Sequence, residues 1–147
     1  MRKKRIMLIG AGKSGKTTIA GWLDGVRRRK LANICYGPET IDTPGAYLEC
    51  PWMHCHLIGS ASDAYCVLML VDQSRSCEIY PPGFAKSFRV PVIGVITHSD
   101  WIPEKREQCE LQLKRAGVMP PYYCITDDKK SFRQLNKLLD LMGRDSR

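Results

Sequence analysis

The sequence predicts an α/β domain in three layers: a mostly parallel sheet of about six strands, with one antiparallel edge strand, lies between helices on both faces. Two observations predict it. Short apolar runs alternate with amphipathic stretches of helical period along the chain. One pair of runs, 33–36 and 39–42, is separated by the turn Gly37-Pro38, so it reads as a hairpin that places one antiparallel strand at an edge.

Taken in order, the first strand is Arg5–Ile9, and a helix follows from about residue 15 to 24. A basic loop, 25–30, leads into the hairpin pair. Asp42-Thr43-Pro44-Gly45 then breaks the chain, and a helix is expected from 51 to about 60. The most apolar run, 65–71, is a central strand ending at Asp72. A Pro-rich loop (Tyr80-Pro81-Pro82-Gly83-Phe84) precedes a second buried strand, 90–97. Residues 103–116 form a helix with Cys109, Leu113 and Ala116 on one face and Gly117 ending it. The last strand is 122–126. The closing helix, about 131–142, has a core stripe of Phe132, Leu135, Leu138, Leu139 and Met142.

Residues 10–17 read Gly-Ala-Gly-Lys-Ser-Gly-Lys-Thr, a complete G-x-x-x-x-G-K-[ST] phosphate-binding loop placed after the first apolar run and before a helix. In that context the backbone N–H groups from Gly10, Ala11, Gly12, Lys13, Ser14 and Gly15 through Thr18 point at a phosphate chain, helped by the positive end of the helix dipole. Lys16 reaches the β- and γ-phosphates, and the Thr17 hydroxyl ligates Mg²⁺. Lys16 and Thr17 are thus the residues expected to act on the phosphates themselves. Gly10 and Gly15 let the backbone pass close to the ligand. A Gly-rich turn that binds nothing is the bland alternative, and it does not require all eight positions in this setting. The motif predicts a P-loop NTPase fold, with ATP or GTP as ligand and Mg²⁺ as cofactor.

A second anchor is expected at Asp42-Thr43-Pro44-Gly45, of Asp-x-x-Gly form at a strand end. Asp42 would hold Mg²⁺ through a water, and the Gly45 amide would donate to the γ-phosphate, so that loss of this group frees the following segment. Base recognition falls to Thr97-His98-Ser99-Asp100, in the place of an [NT]-K-x-D motif. Asp100 pairs with the guanine N1–H and exocyclic amine, with capping of the next helix as the competing reading. Thr97 ties this loop to the phosphate loop. His98 stands where a Lys usually covers the base, and it lacks that residue's permanent charge and aliphatic reach. Of the loop after the last strand, only Thr126 offers partial agreement with a base-contacting element.

The 147 residues suit one domain, expected over 1–147, with 44% hydrophobic and 26% charged residues, as in an ordinary soluble protein. No apolar stretch reaches the length of a membrane span, and the basic start, residues 2–5, is followed by an apolar run too short for a signal peptide. Seven scattered cysteines suit reduced thiols in a cytoplasm. The net charge of +8 gathers in residues 2–5 and in Arg27-Arg28-Arg29-Lys30, which reads as a solvated steering surface. Nucleic acid is an unlikely ligand because that tract has no interleaved aromatics.

The chain resembles the EutP/PduV family, small P-loop proteins of ethanolamine- and propanediol-utilisation operons. The likeness runs through residues 4–10, Gly15-Lys16-Thr17, Ile41 to Gly45, Tyr47-Leu48-Glu49, Pro82-Gly83-Phe84-Ala85 and residues 91–97. It implies a Ras-like fold, nucleoside triphosphate binding with Mg²⁺, and association with a metabolic microcompartment, through shell or enzyme proteins as partners. The chain departs from the family at Lys30-Leu31-Ala32, where members usually carry Lys-Thr-Gln, and at Ala46, where Glu usually follows the Asp-Thr-Pro-Gly motif. A methyl group can neither orient nor deprotonate water, so slow intrinsic hydrolysis is expected. Two other classes stay open. One is a kinase for a small acid or alcohol, with Asp72, His54 and Glu49 as candidate bases. The other is a nucleotide-dependent adaptor that does not hydrolyse. Cys50-Pro51-Trp52-Met53-His54-Cys55-His56 has zinc-type ligands, but Cys50 and Cys55 would lie roughly 140° apart around a helix. The preferred reading is a helix with core thiols and exposed imidazoles.

Overall fold

The computed structural model describes residues 5–10, 16–25, 34–36, 39–73, 80–97, 105–126 and 129–141. Strand β1 (Arg5–Ile9) is flanked on both sides by parallel neighbours, β3 (Thr40–Asp42) and β4 (Ala64–Asp72). Beyond β4 lie β5 (Val92–Thr97) and β6 (Tyr123–Cys124), both parallel, and the other edge is β2 (Cys35–Tyr36), paired antiparallel to β3. The sheet order is β2-β3-β1-β4-β5-β6.

The apolar runs are explained by which face each side chain reaches. Along β1 and β4, Met7, Ile9, Val67, Met69 and Val71 pack into one core, whereas Ile6, Leu8, Cys66, Leu68 and Leu70 pack into the other. That is the two-residue period of a strand with both sides covered. Helices α1 (Lys16–Asp24) and α5 (Arg133–Leu139) cover the second face through Ile19, Ala20, Leu23, Leu135 and Leu139. Helices α2 (Gly45–Glu49), α3 (His54–Ser60) and α4 (Arg106–Arg115) cover the first through Leu48, Leu57, Cys109 and Leu113.

The end of α4 follows from one glycine. Gly117 takes φ of 95°, its N–H donates to the Lys114 carbonyl (3.1 Å), and the Val118 N–H donates to the Leu113 carbonyl (2.9 Å). This is a Schellman cap, completed by burial of Leu113 and Val118 in the same cluster.

Several boundaries differ from expectation. The segment 42–45 does not end in an open turn, because α2 begins at Gly45 itself. The helix expected over 51–60 starts as a 3-10 turn, Pro51–Met53, with proline in its first positions, and becomes α-helical only at His54. The Pro-rich loop contains a 3-10 helix, Phe84–Ser87, entered through Gly83 at φ 72°. It docks on the end of α4, where Gly83 N–H donates to the Arg115 carbonyl (2.8 Å) and Ala85 N–H to the Ala116 carbonyl (2.7 Å). The last strand shortens to two residues, Tyr123–Cys124. The closing helix begins as a 3-10 turn, Lys129–Phe132; Phe132, Leu135 and Leu139 are buried and Leu138 is half-buried, while Met142 lies outside the described residues.

Gly94, in the middle of β5, is a close-approach position. A Cβ there would stand 2.7 Å from Tyr122 Cδ1 and 2.9 Å from Leu113 Cδ1. Gly94→Ala should therefore overpack the first core and lower stability by about 1–3 kcal/mol in urea unfolding, whereas an unchanged midpoint would show that Tyr122 swings away freely.

Candidate functional site

The carboxyl ends of β1, β3, β4 and β5 share one edge of the sheet. Leu8 is level with Asp42, Ile9 with Met69, and Asp72 with Thr97. The chain leaves β1 toward β3 and leaves β4 toward β5, so these adjacent strands part at the place where open α/β sheets hold ligands. Gly10 is buried just beyond β1, and Lys16 and Thr17 are the first two residues of α1. Thr18 is exposed on that helix. Ala11, Gly12, Lys13, Ser14 and Gly15 fall outside the described residues.

Two side chains fix the end of β1. The Thr43 hydroxyl, buried, donates to the Leu8 carbonyl at 2.8 Å. The Tyr80 hydroxyl donates to the Leu70 carbonyl at 2.5 Å, with the Ile9 carbonyl a longer branch at 3.3 Å. Burial pushes the Tyr80 phenol above the ordinary tyrosine range, so the proton stays on to make these contacts. Sequence reasoning placed Tyr80 in a loop and gave it no part in the site. The only signal was a tyrosine opening a Pro-Gly-aromatic run.

Asp42 is fully buried at the end of β3, and the chain turns through Thr43 and Pro44 into α2 at Gly45. The Tyr47 N–H donates to the Pro44 carbonyl (3.1 Å), so Gly45 and Ala46 form the first turn of α2. A carboxylate and a threonine hydroxyl are hard oxygen donors of the kind Mg²⁺ accepts alongside waters and phosphate oxygens. Asp42 at this edge and Thr17 in the first turn of α1 fit that requirement by residue type and by place in the fold.

The residues expected to recognise the base begin at the far side of the edge. Thr97 ends β5 and is buried, and its hydroxyl donates to the Val71 carbonyl at 3.4 Å, within the sheet; the loop it is expected to tie lies outside the described residues. His98, Ser99 and Asp100 lie outside the described residues. Thr126 leaves β6 held by Ser131, whose Oγ accepts from the Thr126 N–H (2.9 Å) and donates to the Thr126 carbonyl (3.4 Å).

The Cys–His segment keeps only part of the expected core thiols and exposed imidazoles: His56 is exposed, but the others differ. Cys55 is exposed, with its Sγ 3.7 Å from the Trp52 carbonyl, and Cys50 is half-buried. His54 turns inward instead. Its Nε2 donates to the Leu48 carbonyl at 2.7 Å, and its ring lies 4.8 Å from that of Phe84. The 3-10 start rotates these side chains away from where a continuous helix would put them. With Nε2–H engaged by a backbone carbonyl, His54 keeps Nδ1 as its unprotonated nitrogen; Glu49 is exposed and Asp72 is buried at the end of β4. The buried thiols are elsewhere: burial pushes Cys66 up to about 12, while burial and the nearby Asp72 charge push Cys109 up to about 11.

The sheet order, with a central parallel strand followed in the chain by a helix, is that of the three-layer P-loop NTPase fold. Solved structures agree on the fold. Translation elongation factor SelB from Methanococcus maripaludis, in complex with the GTP analogue GppNHp, superposes with a TM-score of 0.62 at 18% identity over 97% of this chain and 34% of that one. A bacterial selenocysteine-specific elongation factor gives 0.69 at 19% identity, over 97% and 29%. A probable GTP-binding protein, EngB, gives 0.66 at 14% identity, over 94% and 98%. The chain thus spans only about a third of the length of the elongation-factor chains. It belongs to the PduV-EutP family, described as ethanolamine utilisation and propanediol utilisation, which matches residues 3–141. It is 33% identical to the propanediol utilization protein PduV of Citrobacter freundii over 123 residues, 82% of each chain.

Alkylation should separate the described thiols by thiolate access. At about pH 8, iodoacetamide should modify Cys55 in the folded protein and leave Cys66 untouched until denaturant is added. Peptide mass mapping checks this, and equal rates at the two positions would contradict the burial of Cys66.

Proposed function

We propose that this chain is a small P-loop nucleotide-binding protein, one domain over 1–147, that takes ATP or GTP with Mg²⁺ and hydrolyses it slowly. The observation that carries the reading is the complete Gly-Ala-Gly-Lys-Ser-Gly-Lys-Thr sequence falling between the buried end of β1 and the first residues of α1. Main-chain amides from Gly10 to Thr18 cradle the phosphates. Lys16 offsets their charge. Thr17 would hold Mg²⁺ directly and Asp42 through a water, and the ion would supply further charge neutralisation. The Gly45 N–H, in the first turn of α2, donates to the γ-phosphate. His98, Asp100 and Thr126 face the base, with Asp100 on its edge and His98 against its plane, and Thr97 ties their loop to the phosphate loop.

Slow turnover follows from residue chemistry. Ala46 has no group to orient the attacking water, and Leu31 has none to complete the Mg²⁺ shell. The family description and the name of the Citrobacter freundii relative support a role in ethanolamine or propanediol utilisation. We place the protein in the cytoplasm, on or near a microcompartment; no helix among the described residues is long and apolar enough to cross a membrane. A second reading, a nucleotide-dependent adaptor, is favoured by Trp52, 75% exposed on the turn that follows α2. An indole so placed is an anchor for a shell or enzyme partner whose presentation depends on how Gly45 is held.

Titration with fluorescent adenine and guanine triphosphates, with and without Mg²⁺, tests the reading. Lys16→Ala should abolish binding. His98→Lys should shift preference toward guanine, and unchanged selectivity would mean that Asp100 does not face the base. Phosphate release without a partner should fall well below about 10 per second, a typical enzyme turnover. Absence of binding by either purine triphosphate overturns the proposal.

A further inference from the structure

Tyr80 is buried, and its hydroxyl bridges the two strands that part at the candidate site. It reaches the carbonyl of Leu70 in β4 and that of Ile9, the last residue of β1. The Ile9 carbonyl belongs to the peptide that joins the strand to Gly10, the first residue of the phosphate-loop motif. The direction in which the chain leaves β1 depends on how that peptide is turned.

Tyr80 is itself held firmly. Its ring stacks on Phe84, with centroids 6.2 Å apart and planes at 27°, and Phe84 meets Phe88 edge-on at 5.4 Å and His54 at 4.8 Å. The segment that bears it is fastened to α4 by the Gly83 and Ala85 amides. A phenol on a mobile loop could not set the orientation of a peptide. One stacked on Phe84, itself packed between Phe88 and His54 in a segment fastened by two backbone bonds, can.

We propose that Tyr80 is a positioning residue for the phosphate loop, its hydroxyl fixing the Ile9–Gly10 peptide at the junction of β1 and β4. The inference rests on the nucleotide reading given above, but it predicts a local effect in the free protein as well. A hydroxyl that only cements the core would cost stability when removed and leave ligand affinity alone.

Tyr80→Phe deletes that hydroxyl while keeping the ring, so the fold is retained. Tyr122→Phe is the matched control, since the Tyr122 hydroxyl donates to the Val118 carbonyl at 2.8 Å, a bond of the same kind outside the candidate site. Mg²⁺–triphosphate affinity should fall about tenfold in Tyr80→Phe and stay within about twofold in Tyr122→Phe. In the nucleotide-free protein, amide exchange at Gly10 should quicken in Tyr80→Phe while exchange at residues 66–68 in β4 stays unchanged. A lower melting temperature with unaltered affinity, or faster Gly10 exchange with unaltered affinity, overturns the positioning role. If the unsubstituted protein binds neither triphosphate, the functional reading falls by itself. Exchange at Gly10 then decides separately whether Tyr80 holds the junction.

Discussion

Burial of β1 between two parallel neighbours governs where polar chemistry can occur in this chain. Its side chains enter apolar cores on both faces, so neither face has room for a charged group. The buried polar residues reflect this. Among the described residues, five of the seven buried polar ones, Asp42, Thr43, Asp72, Gln73 and Thr97, lie at or just past the carboxyl ends of β3, β4 and β5; Thr40 opens β3 and Gln112 lies in α4. Removing such groups from water is costly, and their gathering along one edge is what a parallel sheet with diverging connections allows.

The same edge is stitched from both sides. Thr43 returns from the segment after β3 to the Leu8 carbonyl, and Tyr80 returns from the segment after β4 to Leu70 and Ile9. The two segments also meet each other, because His54 bonds Leu48 in α2 while its ring lies against Phe84. The end of β1 is therefore enclosed by a ring of contacts that includes α2, whose first residue is Gly45. Any ligand that pulls on Gly45 acts on an element already joined, through His54 and Phe84, to the side chain that touches Ile9.

Legibility in the sequence followed the range of the interaction. β1, the long apolar β4, the antiparallel edge and the glycine stop of α4 were readable because each depends on local pattern or on one residue's backbone freedom. The phosphate-loop motif was readable for the same reason, being contiguous. The start of α2 at Gly45 was missed because proline and glycine signal a turn, and here Pro44 serves as the residue before a helix. The 3-10 turns were missed because three or four residues carry no period. Tyr80 and Thr43 were not assigned their contacts because each reaches a carbonyl far away in sequence, separated by 71 and 35 positions for Ile9 and Leu8. His54 and Cys55 exchanged expected roles because a 3-10 start shifts the phase of the helix by a fraction of a turn, and phase decides which side chain faces the core.

The charges at the edge make a further demand on the proposed chemistry. Asp42 and Asp72 both lie within the buried margin at the carboxyl ends of β3 and β4. A triphosphate entering beside them would meet like charge in a poorly solvated setting, where Coulomb repulsion is stronger than in water. On the proposed reading, a divalent cation held through Asp42 would offset charge on the carboxylate and on the phosphates together, so Mg²⁺ would be a condition of tight binding. The general positive charge of the chain, +8 in all, would draw such an anion toward that edge.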